Sequence, residues 1–206
     1  MTEKPPIHSG PEPATFAFTS DNLAKANAFI SRYPRGCQAS AVMPLLDLAQ
    51  RQHGWLPQAA IDLVATMLQM PPIRVQEVAT FYTMYVLRPI GRHHVQVCTN
   101  LPCWLRGSDE VVRACRDVLG VDVGGTTADG QFTVAEVECA GACVNAPTVQ
   151  IGDDYYEDLD YDSMKKLLEA LQRGETPKPG SQTGRQCSCP AGGPTTLKSV
   201  PAKGGA

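Results

Sequence analysis

The chain has 206 residues, of which 43% are hydrophobic and 19% are charged, and its formal net charge at pH 7 is −3. This length allows one full domain and a smaller one, with enough apolar residues to bury a core. The small net charge gives no reason to expect nucleic acid or an anionic membrane surface as a partner. No apolar run approaches the roughly 18–20 residues that a membrane-spanning helix needs, so we expect no direct membrane insertion.

The N-terminal residues have neither the apolar run of a signal peptide nor the Arg-rich amphipathic character of a transit peptide. We therefore expect the chain to stay in a reducing cytosol. In that compartment, the 8 cysteines favour metal ligation over disulfide bonds.

The first part of the chain predicts a Pro-rich flexible arm over residues 1–19 and a bundle of four short helices over residues 20–86. Helix starts are indicated by the cap cluster at Ser20, by residue 39, by Pro57 and by the Pro71-Pro72 pair; Gly54 ends the second helix. The predicted buried positions, helix by helix, are Leu23, Ala26 and Ile30; Val42, Leu45, Leu46 and Ala49; Ile61, Val64 and Leu68; Val75, Val78, Ala79 and Tyr82.

The pattern over residues 87–173 predicts a compact α/β domain, with a small sheet covered by two helices. Its predicted elements are a strand at 92–98, one helix at 103–119 ending at Gly120, a strand at 132–138, a hairpin of 148–151 with 155–156, and a helix after the cap Asp160. Residues 174–206 are rich in Gly, Pro, Ser and Thr and predict a C-terminal tail with too little apolar surface to fold alone.

Two cysteine pairs dominate the second half, and each directly follows a predicted strand. They are Cys98-Thr-Asn-Leu-Pro-Cys103 and Cys139-Ala-Gly-Ala-Cys143. One edge of the sheet could therefore present all four sulfurs. Thiolates at such spacing bind either a structural zinc or an iron–sulfur cluster, and the spacing favours iron–sulfur without excluding zinc. The absence of a Cys-x-x-Cys motif disfavours a thiol–disulfide enzyme.

Local sequence around the pairs suggests how the ligands are supported. Cys103 lies where a helix is predicted to begin, and free backbone N–H groups there favour a thiolate. Gly141 allows the backbone to approach a metal closely. Pro102 and Pro147 stiffen the two loops.

The other cysteines fit ligation less well. Cys115 lies on the inner face of its helix and is predicted to be a core residue, and Cys37 is predicted to be an inert thiol. Cys187 and Cys189 are separated by one residue in the tail, and such a pair binds metal poorly.

The sequence contains no other arrangement that predicts catalysis. The acidic stretch from Asp153 to Asp158 is predicted to be a solvated turn rather than a calcium loop. There is no nucleotide or flavin fingerprint and no Ser/His/Asp arrangement, so we predict no catalytic residues. The chain is predicted to carry electrons at most.

Three separated motifs resemble the thioredoxin-like [2Fe–2S] subunit of NADH:quinone oxidoreductase, respiratory complex I. They are Gly54-Trp-Leu-Pro57 followed by Val78-Ala-Thr-Phe-Tyr82, the cysteine pattern itself, and Val137-Glu-Cys-Ala-Gly-Ala-Cys143 with Asn145-Ala-Pro147. The match spans about residues 20–172 in the family's order. The tail element from Thr183 to Gly193 is similar to the ending of complex I members nearer the mitochondrial type.

The resemblance implies a thioredoxin-like [2Fe–2S] ferredoxin domain preceded by a small helical bundle. It implies one [2Fe–2S] cluster held by Cys98, Cys103, Cys139 and Cys143. That cluster would exchange an electron with FMN of a larger flavoprotein subunit, which also holds the NADH site. Further implied features are a neighbouring multi-cluster iron–sulfur subunit, a tail that docks on partner subunits, and a cytoplasmic location in the peripheral arm at the bacterial inner membrane.

Two alternatives remain open at this stage. The cysteine pattern also occurs in the diaphorase subunits of soluble NAD-linked hydrogenases and formate dehydrogenases. The same four thiolates could instead belong to a structural zinc module that helps to assemble a complex.

Overall fold

In a computed structural model, residues 12–186, 188–190, 192–193 and 195–196 are described. They fall into two compact units that divide between Ile90 and Gly91. No helix in these described ranges is long and apolar enough to cross a membrane.

The first unit contains four helices: α1 (Ser20–Ser31), α2 (Val42–His53), α3 (Gln58–Leu68) and α4 (Pro72–Phe81). A short 3-10 turn, Gln38–Ala41, leads into α2. Gly54 ends α2 in the left-handed conformation, as its position in the sequence predicts. The buried faces of α2 and α3 are those that the periodicity predicts, and they form one apolar core with Ala26, Val75 and Ala79.

Two predicted core positions of this unit are wrong. Leu23 is 44% exposed, because the first helix buries mainly Ala26. Tyr82 is also exposed, because α4 ends at Phe81 and Tyr82 follows it in extended conformation. The next buried aromatic residue is Tyr85, whose hydroxyl donates to the carbonyl oxygen of Met43 over 3.0 Å.

The described part of the predicted N-terminal arm is packed against the helices. Phe16 and Phe18 contact the helical core. Gln52 donates to the carbonyl oxygen of Ala17 and accepts a hydrogen bond from the amide of Thr19, over 2.8 and 3.0 Å. The prediction of a flexible arm is therefore wrong for residues 12–19, while residues 1–11 lie outside the described ranges.

The second unit contains a five-stranded sheet with the order β2-β1-β3-β4-β5. Its strands are β1 (His93–Cys98), β2 (Phe132–Val137), β3 (Val149–Ile151), β4 (Asp154–Glu157) and β5 (Gly180–Ser181). β1 is parallel to β2 and antiparallel to β3, and the predicted hairpin is β3 with β4. Alternate strand residues such as Val95 and Val97 are buried, as the period of two predicts.

The helices of this unit are α5 (Leu101–Leu105), α6 (Ser108–Leu119) and α7 (Tyr161–Gln172). α6 and α7 contact each other and bury Val111, Cys115, Met164 and Leu168 against the strands. Asp160 caps α7 with Ser163 in a reciprocal capping box, over 2.8 Å in each direction. The predicted cover of two helices on a small sheet is confirmed.

Two predictions for the second unit need correction. The single helix predicted over 103–119 is two helices, because Gly107 adopts the left-handed conformation with φ = 93° and interrupts the helix. The tail is also not structureless from residue 174 onward. Gly180–Ser181 pairs with Tyr156 and Glu157 as the parallel edge strand β5.

Replacing Gly107 by Ala should destabilise the protein by about 1–2 kcal/mol, the cost of the left-handed conformation for a residue with a Cβ. No atom lies within 4 Å of the added Cβ, so backbone strain rather than a clash would cause the loss. Urea denaturation would measure it. Gly192 has equally open surroundings and no positive φ, so Gly192→Ala is the control; equal stability of both variants would contradict the explanation.

Candidate metal centre

The four predicted ligands lie at the carboxyl ends of two parallel neighbouring strands. Cys98 is the last residue of β1 and is paired with Val137, the last residue of β2. Cys139 follows two residues later. The parallel pairing therefore brings the starts of both cysteine loops to one edge of the sheet, as the sequence predicts.

The first pair lies inside the protein. Cys98 and Cys103 are each 2% exposed and form a small apolar cluster with Ala146, against which Val137 and Ala140 pack. Asn100 caps α5 by accepting from the amide of Leu101 over 3.0 Å, which turns the chain back so that Cys103 lies beside Cys98.

The second pair lies at the surface. The sulfurs of Cys139 and Cys143 are 3.4 Å apart, and both residues are exposed. The amide of Gly141 donates to the sulfur of Cys139 over 3.4 Å. Gly141 has φ = 82°, a conformation that glycine adopts without strain. Tyr155 holds the same turn by donating from its hydroxyl to the carbonyl oxygen of Ala140 over 2.9 Å.

Side chains join the two cysteine loops directly. The hydroxyl of Thr99 donates to a carboxylate oxygen of Glu136 over 2.5 Å, and the side-chain amide of Asn100 donates to a carboxylate oxygen of Glu138 over 2.8 Å. Because these contacts join the residues after Cys98 to those before Cys139, they restrain the spacing between the pairs.

The pKa values of the thiols differ because their surroundings differ. The pKa of Cys103 is raised to about 12, first by burial and then by the neighbouring Cys98 and Cys143, while a backbone hydrogen bond from Thr148 acts in the opposite direction. The hydrogen bond from Gly141 lowers the pKa of Cys139, and Cys143 adds to that effect. The pKa of Cys143 is raised, first by its hydrogen bond with Cys139. The backbone hydrogen bond that lowers the pKa of Cys103 comes from Thr148, which lies outside the helix that contains Cys103.

The two cysteine pairs also affect each other electrostatically. Charges on Cys98 and Cys143 both act on Cys103, and charges on Cys139 and Cys98 act on Cys143. Within the described ranges, no group of three or more His, Cys, Asp or Glu side chains is arranged so that it could hold a metal ion. The thiols instead form two adjacent pairs, and deprotonating all four would create repulsion that bound cations relieve.

The remaining cysteines differ in position. Cys115 is fully buried in the main core of the second unit, and burial raises its pKa to about 12, so the prediction of a core residue is confirmed. Cys37 is exposed in the first unit. Cys189 is partly buried, and Cys187 lies outside the described residues.

The second cysteine loop is also held by contacts that the sequence does not predict. Asn145 is buried and donates to Glu157 over 2.8 Å, and its carbonyl oxygen accepts from the amide of Asp158 over 2.8 Å. The prediction that Asp158 belongs to a solvated acidic turn is wrong, because its side chain is buried and paired with Arg185. The only sequence signal is Arg185 itself, a lone cation within the tail motif.

A shallow polar groove of about 680 Å³ lies beside Cys143, and Arg106, Val144, Asp158 and Arg185 are among the residues that line it. Large apolar side chains are exposed close to the ligands in sequence. They are Leu101, Trp104, Leu105 and Val144.

The family profile described as thioredoxin-like [2Fe-2S] ferredoxin matches residues 26–172. The chain belongs to this family. The E-type subunit of NADH-quinone oxidoreductase from Rickettsia conorii is 57% identical over 158 residues, which are 76% of this chain and 95% of that protein. The mitochondrial NADH dehydrogenase [ubiquinone] flavoprotein 2 of Dictyostelium discoideum is 47% identical over 191 residues, 92% of this chain and 77% of that protein.

A solved NAD+-reducing [NiFe]-hydrogenase shares the fold, with a TM-score of 0.56 and 22% identity. The match covers 63% of this chain but only 23% of the hydrogenase chain. The resemblance to the complex I subunit family and the predicted fold class, a thioredoxin-like α/β domain, are thereby confirmed.

In the metal-free protein, Cys139 should react with iodoacetamide at a lower pH than Cys143. Both thiols are exposed, but the pKa of Cys139 is lowered and that of Cys143 is raised, so at any pH below both values Cys139 carries the larger thiolate fraction. Peptide mapping by mass spectrometry across a pH series would measure both rates. Buried Cys115 is the unreactive control, and a Cys143 profile at or below that of Cys139 would contradict the prediction.

Proposed function

We propose that the chain is an electron-transfer subunit of the NADH dehydrogenase module of respiratory complex I. The observation that carries the proposal is the meeting of two cysteine pairs at the carboxyl ends of β1 and β2. One [2Fe–2S] cluster would be held there by Cys98, Cys103, Cys139 and Cys143, and it would supply one-electron transfer.

The chemistry of the four side chains fits such a cluster. Each thiolate would bring one negative charge, and thiolates are the standard ligands of [2Fe–2S] centres. Gly141 and Thr148 direct backbone donors at two of the sulfurs, and donors of this kind tune a cluster's potential. The buried first pair excludes water from one side of the centre, while the exposed second pair leaves the other side open to a partner.

The partner proposed for that open side is the larger flavoprotein subunit, which would bind FMN and NADH. Exposed Trp104 and Leu105 follow Cys103, and exposed Val144 follows Cys143. Apolar side chains exposed beside a redox centre are typical of a surface that another protein covers. NADH oxidation and proton translocation would belong to the assembled complex.

The complex would place this chain in the peripheral arm on the cytoplasmic face of the bacterial inner membrane, beside a multi-cluster iron–sulfur subunit. The part of the tail beyond Arg185 would dock on a neighbouring subunit. The relatives named as subunits of NADH-quinone oxidoreductase support this assignment.

A diaphorase subunit of a soluble hydrogenase is the second candidate, favoured by the fold shared with the NAD+-reducing hydrogenase. The identity to that enzyme is 22%, against 57% to the Rickettsia subunit, so complex I is the better host. A structural zinc module is disfavoured by the family match.

The purified chain should contain about two irons and two labile sulfides per molecule, and dithionite reduction should give the EPR signal of a reduced [2Fe–2S] centre. Metal analysis and low-temperature EPR measure these directly. Stoichiometric zinc without sulfide would identify a zinc module instead.

Cysteine variants supply the matched control for that experiment. Cys139→Ser should shift or abolish the EPR signal, because it removes a proposed ligand. Cys115→Ser should leave the signal intact and cost about 1–3 kcal/mol of stability, because it buries a hydroxyl in an apolar core. Bleaching by Cys115→Ser at full folding would show that the ligand assignment is wrong.

The host complex can be identified by affinity purification of the chain from detergent-solubilised native membranes. A complex I subunit should bring with it the flavoprotein, the multi-cluster subunit and membrane-embedded subunits. Recovery of hydrogenase or formate dehydrogenase subunits from the aqueous fraction, without membrane subunits, would favour the diaphorase alternative.

A further inference from the structure

Arg185 and Asp158 form a partly buried ion pair next to the second cysteine loop. Their side chains are 13% and 8% exposed. The guanidinium donates to both carboxylate oxygens, from Nε to Oδ2 over 2.9 Å and from Nη2 to Oδ1 over 2.5 Å. Ser181 donates to Oδ2 of the same carboxylate over 2.6 Å.

The electrostatics of the pair favour its charged form. Burial alone would raise the pKa of Asp158, but the hydrogen bonds from Arg185 and Ser181 lower it below its usual value. Removing one partner of such a little-exposed pair would leave the charge of the other without a counter-ion, so the pair is costly to break. The segment that carries Arg185 is therefore held firmly against the end of β4.

The same two residues also hold the backbone of the cysteine loop. Arg185 donates from Nη2 to the carbonyl oxygen of Val144 over 2.9 Å, and Val144 directly follows Cys143. The amide of Asp158 donates to the carbonyl oxygen of Asn145 over 2.8 Å. The carbonyl oxygens of Val144 and Asn145, the two residues that follow Cys143, therefore accept hydrogen bonds from Arg185 and Asp158.

β5 brings Arg185 next to the residues that follow Cys143. Gly180 and Ser181 pair with Tyr156 and Glu157, and the amide of Gln182 donates to the carbonyl oxygen of Glu157 over 2.9 Å. The amide of Arg185 then donates to the hydroxyl of Ser181 over 3.1 Å. The tail is bound to the sheet before it reaches the loop, so Arg185 arrives in a fixed position.

We propose that Arg185 is a positioning residue for the [2Fe–2S] cluster, and that residues 180–185 form a latch that fixes the loop carrying Cys139 and Cys143. This inference rests on the proposed function, since it assigns the latch to the cluster proposed there. In the described part of the chain, the hydrogen bonds from the Arg185 side chain reach Asp158 and two carbonyl oxygens rather than a ligand sulfur, so Arg185 acts through the carbonyl oxygen of Val144. The latch makes the beginning of the tail part of the cluster domain.

The shape of the guanidinium explains why arginine suits this position. Its donors reach four acceptors: the two oxygens of Asp158, the carbonyl of Val144 and the carbonyl of Cys189, the last from Nη1 over 3.0 Å. A lysine ammonium has the charge but only three donors from a single atom, and it cannot reproduce the planar fork. Arg185→Lys should therefore restore the ion pair without restoring the full set of contacts.

The test compares Arg185→Ala and Arg185→Lys with the wild-type full chain carrying its cluster. Arg185→Ala should release iron to a chelator about 10- to 100-fold faster, the usual effect of removing a group that orients a metal ligand. It should also change the EPR line shape of the reduced cluster, because the orientation of Cys143 is no longer fixed. Arg185→Lys should release iron at a rate between those of the wild type and Arg185→Ala.

Arg173→Ala is the matched control. Arg173 forms a two-bond pair with Glu175 in the same unit, over 2.6 and 3.2 Å, but both side chains are more than half exposed, and none of the hydrogen bonds described for Arg173 reaches the cysteine loop. Its removal should leave iron release and EPR unchanged. Equal acceleration in Arg173→Ala and Arg185→Ala would show a general loss of stability and overturn the proposal.

The remaining outcomes also separate the hypotheses. Wild-type rates and spectra in Arg185→Ala would overturn the latch while leaving the proposed function intact. If Arg185→Ala does not fold, Arg185→Lys decides, because behaviour identical to wild type would overturn the proposal and an intermediate rate would support it. Absence of a cluster from the wild-type chain would overturn the proposed function itself, and with it the assignment of the latch to a cluster.

Discussion

The parallel pairing of β1 with β2 is the constraint on which the proposed metal centre depends. Its register joins His93 to Phe132 and Cys98 to Val137. A slip of one residue would turn Val95 and Val97 away from the core, because strand side chains alternate between faces. Burial of the core therefore fixes the same register that aligns the ends of the two strands. The position of the cysteine loops is in this sense a consequence of core packing, and no separate interaction is needed to bring them to one edge.

Much of this arrangement could be predicted from local sequence, because it depends on local rules. Alternating apolar residues define β1 and β2, Gly54 and Gly120 end helices in the left-handed conformation, and Asp160 caps α7. The ligand loops follow directly from the strand ends. Four thiolates can bind either zinc or an iron–sulfur cluster. Their spacing favours the cluster without excluding zinc, and the family match favours the cluster further.

The features that the sequence could not predict depend either on residues far apart in the chain or on the backbone conformation of a single residue. The apolar period runs through Gly107, so only its conformation reveals that α5 and α6 are separate. β5 has two residues and no alternation, and it exists because the edge of β4 is available for pairing. Asp158 lies in an acidic stretch and would be solvated without a cation that comes from 27 residues later in the chain. Such long-range pairs leave no periodic trace in the sequence.

The cysteines proposed as ligands lie outside the main core of the second unit. This distinguishes the protein from a domain that folds only when its metal binds. The core of the second unit contains strand and helix residues such as Val95, Val111 and Met164, whereas Cys98 and Cys103 belong to a separate small cluster. Zinc-folded domains lack a sufficient core and depend on the metal for their folding energy. Here the main core contains none of the four cysteines proposed as ligands, and hydrogen bonds from Asn100, Tyr155 and Asp158 hold the loops. A fold that holds the proposed ligands on restrained loops would suit the proposed electron carrier, because a centre held in one geometry reorganises little when its charge changes.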